Sequence, residues 1–209
     1  MFAVRRVEVR GVQEPVASRV RAALQPVLGT SLVTFDQADA ERRLARLPEV
    51  AAASFDRSFP HTLRVFVRAG QPVAVLRQGS DAWLASGRAR VLRHLTLRPF
   101  PGLPRVWLPA SIGVEIGQTL DGDPARAVRA LAEVRRFRFL IPVQAARASG
   151  EELTLVLRSG LELRLGDAAD LPLKLEIARR IAALAPGARY VDVSVPERSV
   201  AGYNPQVSS

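Results

Sequence analysis

From Leu153 to Leu165, leucine recurs at every second position on either side of Arg158-Ser159-Gly160. A period of two puts Leu153, Leu155 and Leu157 on one face of a strand, and Leu161, Leu163 and Leu165 on one face of the next. The short polar break containing Gly160 reads as the turn of a hairpin. A sheet face made of leucine needs a second layer to cover it. Helical patterns stand before and after the hairpin to supply one. Asp123 with Pro124 reads as a helix start, with Val128, Leu131 and Val134 as its apolar stripe. Leu173 to Ala185 reads as a second helix, ended by Pro186-Gly187.

The first 70 residues carry a separate pattern. Phe2 to Val12 alternates as a strand, with Val7 and Val9 on its apolar side. Pro15 then opens a helix whose stripe is Val16, Val20, Leu24, Val27 and Leu28, and Gly29 ends it. Asp36 is an N-cap with Asp39 in the first turn behind it. Ala40, Leu44 and Leu47 mark the second helix, which Pro48 ends. Two strands follow, Ala52 to Phe55 and Thr62 to Val67, joined at Phe59-Pro60-His61. The order is β-α-α-β-β.

Gly70-Gln71-Pro72 punctuates the chain. Beyond it strands dominate: Val73 to Arg77, Ala82 to Ala85, Arg90 to Leu92 and Val106 to Leu108, the last reached through an extended, proline-rich segment from Pro99 to Pro109. Val191, Val193 and Val195 alternate in a final strand that Pro196 ends. Residues 204–209 read as a frayed tail. The expected fold class is α+β, with one domain over residues 1–70 and a mixed β-sheet domain with flanking helices over residues 71–203.

The chain has 209 residues, 48% hydrophobic and 24% charged, which is ordinary globular composition. Its net charge is +10, carried by scattered arginines with Lys174 as the sole lysine. No run of five or six like charges occurs, and aromatics at 6% are too sparse for base stacking. Dedicated nucleic-acid binding is therefore disfavoured. With no cysteine, disulfides and thiolate metal sites are excluded. No stretch of about 18 apolar residues suits a membrane span, and no signal-peptide pattern opens the chain.

Catalytic candidates are few. His61 and His94 read as surface residues without the ligand spacing a metal needs. Asp121-Gly122-Asp123 lacks the remaining ligands of a calcium loop, and helix capping accounts better for Asp123. No phosphate loop, nucleophile elbow or dinucleotide fingerprint is present. Lys174 allows two readings: a serine–lysine catalytic pair without its serine motif, or a compact partner for a carbonyl or carboxylate near a helix start.

Three stretches together resemble the FtsQ/DivIB family of cell-division proteins. They are "VRRVEVRGV" from Val4, "LARLPEVAAASFDRSFPHTLRVFV" with "QPVAVL" from Leu44 to Leu76, and "LTLVLRSGLELRLG", Lys174-Leu175 and "YVDVSVPERSV" from Leu153 to Val200. The first two resemble the family's POTRA domain, the third its β-domain. The sequence departs from the family pattern at Phe59, where Trp is usual, at Ala69-Gly70 and near Ser86-Gly87. The resemblance implies a non-enzymatic divisome scaffold without a cofactor. Its partners would be FtsB- and FtsL-type proteins and, through the POTRA domain, other division proteins. It also implies a single-pass protein of the cell membrane at the division septum, with the bulk extracytoplasmic. The membrane helix would be N-terminal and lie outside this chain, a run of about 20 apolar residues ending shortly before Phe2.

Partner binding is expected at the C-terminal edge. Tyr190, Asp192 and Ser194 would point outward from a last strand running to Val195, whose valines face the core. The segment would continue through Val200, Gly202 and Tyr203, with one row of backbone groups open to an added strand. Two other readings compete: a POTRA protein of a secretion or outer-membrane assembly apparatus, and an enzyme of unrecognised chemistry.

Overall fold

A computed structural model describes residues 2–96, 102–137 and 139–203. The chain divides into two compact units, Met1–Gln71 and Pro72–Ser209.

In the first unit, strand β1 (Arg6–Arg10) lies parallel to β3 (Thr62–Ala69), and β2 (Val50–Ser58) pairs antiparallel with β3, in the order β1-β3-β2. Between β1 and β2 run helices α1 (Val16–Ala23) and α2 (Gln37–Ala45). Asp36 caps α2 as its sequence suggests, accepting a hydrogen bond from the Asp39 amide at 2.9 Å. Val20, Leu24, Ala40, Leu44, Leu63, Val65 and Val67 form one core. The single stripe expected from Val16 to Leu28 is broken. Pro26 has no N–H for the helical ladder, so the chain tightens into a 3-10 turn at Gln25–Val27, and Leu28 is left 45% exposed. β2 extends well past Ala52 to Phe55, even through the polar Asp56-Arg57-Ser58, because β3 offers a partner along its whole length.

The second unit is a nine-stranded mixed sheet. In chain order its strands are β4 (Pro72–Gln78), β5 (Asp81–Ser86), β6 (Val91–His94), β7 (Arg105–Trp107), β8 (Val143–Ser149), β9 (Glu152–Leu157), β10 (Glu162–Gly166), β11 (Tyr190–Asp192) and β12 (Val200–Gly202). In space they run β12-β11-β10-β9-β8-β7-β4-β5-β6. Helix α3 (Gly122–Val134) connects the parallel pair β7 and β8, and α4 (Leu171–Leu184) connects the parallel pair β10 and β11. The six hairpin leucines are all buried in the core that these two helices cover. Leu163 pairs with Leu155 and Glu162 with Val156 in the ladder.

Two expectations are corrected here. Strand β8 has no counterpart in the sequence reading. It is alanine-rich, with little strand propensity of its own, and exists because β7 and β9 flank it. Asp123 does not cap α3, which begins one residue earlier. Its carboxylate instead accepts from the Gly150 amide at 3.2 Å and from Arg126 at 2.8 Å, and Arg126 in turn donates to the Gly150 carbonyl. The pair thus fixes the β8–β9 turn. The segment Pro99 to Pro109 contains β7, while its start and the tail at 204–209 lie outside the described residues.

Candidate partner-binding edge

The end of the chain builds one border of the larger sheet. Strand β11 sits between β10, which it parallels, and β12, which it opposes. The registers are Glu162↔Tyr190 and Arg164↔Asp192 on one side, and Tyr190↔Gly202 and Asp192↔Val200 on the other. Among the described residues β12 has a strand neighbour on one side alone. Its other row of backbone groups faces no strand among the described residues.

This arrangement corrects the expected edge. Tyr190 to Val195 does not run as one strand, and it is not the outermost. β11 stops at Asp192, whose Oδ1 accepts from the Ser194 amide at 2.9 Å and from the Ser194 hydroxyl at 2.7 Å. That local turn bends the chain out of the ladder. A 3-10 turn at Pro196–Arg198 then reverses it, and Ser199 Oγ donates to the Pro196 carbonyl at 2.9 Å. Val191 and Val193 are fully buried as expected, but Val195 is 51% exposed. The Asp-x-Ser spacing is the signal in the sequence that marks this early stop.

Of the six expected contact residues, Tyr190 and Asp192 lie in the inner strand and are half-buried. Ser194 lies in the connecting turn. Val200 and Gly202 lie in the edge strand, and Tyr203 follows directly. Val200 is 54% exposed and Tyr203 59%. With Val195, they leave three large apolar side chains on the surface around β12.

Tyr190 supports this border from the sheet face opposite α3 and α4. The Arg164 guanidinium lies 4.2 Å from its ring centroid, a cation–π contact, and Glu162 holds Arg164 at 3.6 Å. The same face carries Arg164, Thr154 and Arg147 in one cross-strand row, paired in that order. Their neighbours Leu163, Leu155 and Ala146 point to the helix side. Sequence reading assigned no role to this polar row, because scattered arginines acquire a common face only when the ladder is known.

Other candidates resolve structurally. His61 is half-buried, its Nδ1 2.9 Å from the Ala3 carbonyl, rather than a free surface residue. His94 is exposed, 3.2 Å from Asp81. Lys174 is buried and placed on the Asp167 carboxylate and carbonyl, which is the second of its two readings. Among the described residues no group of three or more His, Asp or Glu is placed to hold a metal ion, and no helix is long and apolar enough to cross a membrane.

Residues 2–68 match the family described as "POTRA domain, FtsQ-type". The first unit is an FtsQ-type POTRA domain. Similarity to FtsQ continues beyond it. Over 204 residues the chain is 28% identical to the cell division protein FtsQ of Streptomyces venezuelae, covering 93% of this chain and 72% of that protein. The FtsQ of Streptomyces coelicolor is 28% identical over 200 residues, covering 91% and 74%. That of Thiomonas arsenitoxydans is 29% identical over 170 residues, covering 80% and 60%. These relatives support a role in cell division.

Proposed function

We propose that this chain is a non-enzymatic scaffold of the bacterial divisome, which holds FtsB- and FtsL-type proteins outside the cytoplasmic membrane at the septum and so helps to control septal wall synthesis. The POTRA domain serves contacts with other division proteins. The observation that carries the reading is the outer border of β12, which faces no strand among the described residues. A strand with one unpaired row of donors and acceptors is a template for another strand, which gains affinity from main-chain bonds and specificity from side-chain contacts. Val195, Val200 and Tyr203 supply apolar contact beside that row, and the Arg164–Thr154–Arg147 face lies behind it for acidic groups of a partner.

The test is titration of an FtsB-type peptide against the whole chain. Ala201→Pro removes an amide from the edge strand, and Tyr203→Ala removes an exposed ring. Each is expected to weaken binding at least tenfold, about 1.4 kcal/mol. For Tyr203→Ala the melting temperature stays close to that of the parent. Unchanged affinity in both variants places partner recognition elsewhere and overturns the reading.

A further inference from the structure

A cavity of about 740 Å³ opens where the end of α4 meets the β9–β10 turn, lined by Leu161 from the helix side of the sheet and by Glu162 and Arg164 from its other face. That volume is in the range of small-ligand sites, roughly 300–1,000 Å³. Alanines make the room: Ala182 near the end of α4 and Ala185 just after it line the cavity together with Leu161. Leu140 and Ile141, from the segment entering β8, form another wall. Leu140 is 87% exposed. Singly exposed leucines are common, but this one lines a concavity with an apolar surface of its own.

The charges around it have one prevailing sign. Arg179 and Arg189 line the cavity near α4, and Arg164 lines its far side. Glu162 is the one acidic group in the lining, and Arg164 holds it at 3.6 Å. Arg179 meets Glu176 at 2.6 Å. Arg189 is exposed and has no ion pair among the described residues. The C-terminal end of α4 adds a partial negative charge of about half a unit, which the three arginines of the lining outnumber. A second copy of this chain, at +10, has the wrong charge to fill such a site. Apolar residues, among them Leu140, Ile141, Leu157, Leu161, Ala182 and Ala185, make up much of the lining beside its arginines, which suits an apolar side chain flanked by acidic groups.

We propose that the cavity receives one bulky apolar side chain from an acidic segment of a partner protein, whose carboxylates meet Arg189 and Arg179. The apolar side chain gains from burial against Ala182, Ala185 and Leu161. The guanidiniums at the rim set the charge of the segment on either side. The site adjoins β12, whose Gly202 carbonyl accepts from the Arg189 amide, but it does not use the row of backbone groups on the far side of that strand.

The experiment titrates the isotope-labelled full chain with a 12-residue peptide of alanine and glutamate around one central leucine, followed by NMR. Two control peptides replace every glutamate by glutamine, or the leucine by alanine. Amide shifts are expected to centre on Leu140, Leu161 and Ala188. Each control peptide binds at least tenfold more weakly. Ala182→Trp, which fills the cavity, and Arg189→Glu at its exposed rim each weaken the parent peptide at least tenfold. Ala201→Pro in β12 leaves this titration unchanged. The proposal is overturned if no shift appears at about 2 mM peptide, a concentration that detects even millimolar affinity. It is also overturned if the shifts centre on β12, if either control peptide binds as well as the parent, or if anionic lipid vesicles displace the peptide. Arg189→Glu alone suffices should Ala182→Trp melt early.

Discussion

The ring of Tyr190 fills the space that a Cβ on its cross-strand partner Gly202 would need. An aromatic laid over a glycine at a sheet border shields the backbone and pins the register. Gly202→Val forces the ring aside or lifts β12 from the sheet. The expected cost is about 1–3 kcal/mol, the usual range for overpacking. Hydrogen exchange at Val200 to Gly202 should accelerate well before that of β9 and β10. An FtsB-type peptide should lose affinity together with that protection.

Val195 decides between the sequence reading of the last strand and the folded one. A buried valine cut to alanine costs about 1–3 kcal/mol, whereas a surface change usually stays within about 0.5 kcal/mol. Val195→Ala is expected to fall in the second class by urea denaturation. Ser194→Pro, by contrast, removes the amide that bonds Asp192. It should destabilise by about 1 kcal/mol, the net worth of a typical hydrogen bond. Because Ser194 lies outside β12, peptide affinity should fall by much less than in Ala201→Pro.

Lys174 and Asp167 form an unequal pair. The lysine side chain is 4% exposed and the aspartate 58%, with Nζ 2.5 Å from Oδ1. Asp167→Ala leaves an ammonium buried with one carbonyl partner, while Lys174→Met replaces the charge by an apolar chain of similar length. The melting temperature should therefore drop further for Asp167→Ala than for Lys174→Met. Adding Lys174→Met to Asp167→Ala should recover part of the loss.

The same pair predicts a pH dependence. The hydrogen bond from Lys174, and then its charge, hold the Asp167 carboxyl below its ordinary value of 3.8. A carboxyl whose pKa is depressed in the folded state stabilises the fold fully above its unfolded pKa, and that contribution disappears as pH falls through the folded one. The stability gap between the parent and Asp167→Asn should be constant from pH 7 to about 5 and should close below 3.8. A gap that persists at pH 2 would assign the effect to packing.

The POTRA unit is proposed to fold alone. A fragment of residues 1–71 contains the whole Val20–Leu24–Leu44–Leu63–Val65 core and all three strands of its sheet. It is close to the size at which single cores become marginal, about 60 residues. Circular dichroism should show mixed helix and strand with a cooperative melt. Gly11→Ala in that fragment should lower the melting point, since φ is +88° and a Cβ there meets the Val67 carbonyl oxygen.

Periodicity and capping chemistry are local, so they were legible in the chain itself. The alternation of Leu153 to Leu165 determined a hairpin with one buried face, Asp36 determined where α2 starts, and the β-α-α-β-β order of the first 70 residues follows from runs of apolar side chains at two spacings. The absence of cysteine ruled out thiolate chemistry before any fold was known. Tertiary structure decided what depends on neighbours distant in sequence. β8 is a strand because β7 and β9 hold it on both sides, although its alanines favour none. Asp123 turns from a cap into a clasp because Gly150 comes within reach of its carboxylate. The border moved from β11 to β12 because the chain reverses after Asp192 and pairs with itself, which covers the row of backbone groups that the sequence left open. Which strand is outermost is a property of the whole ladder, and no window of residues carries it.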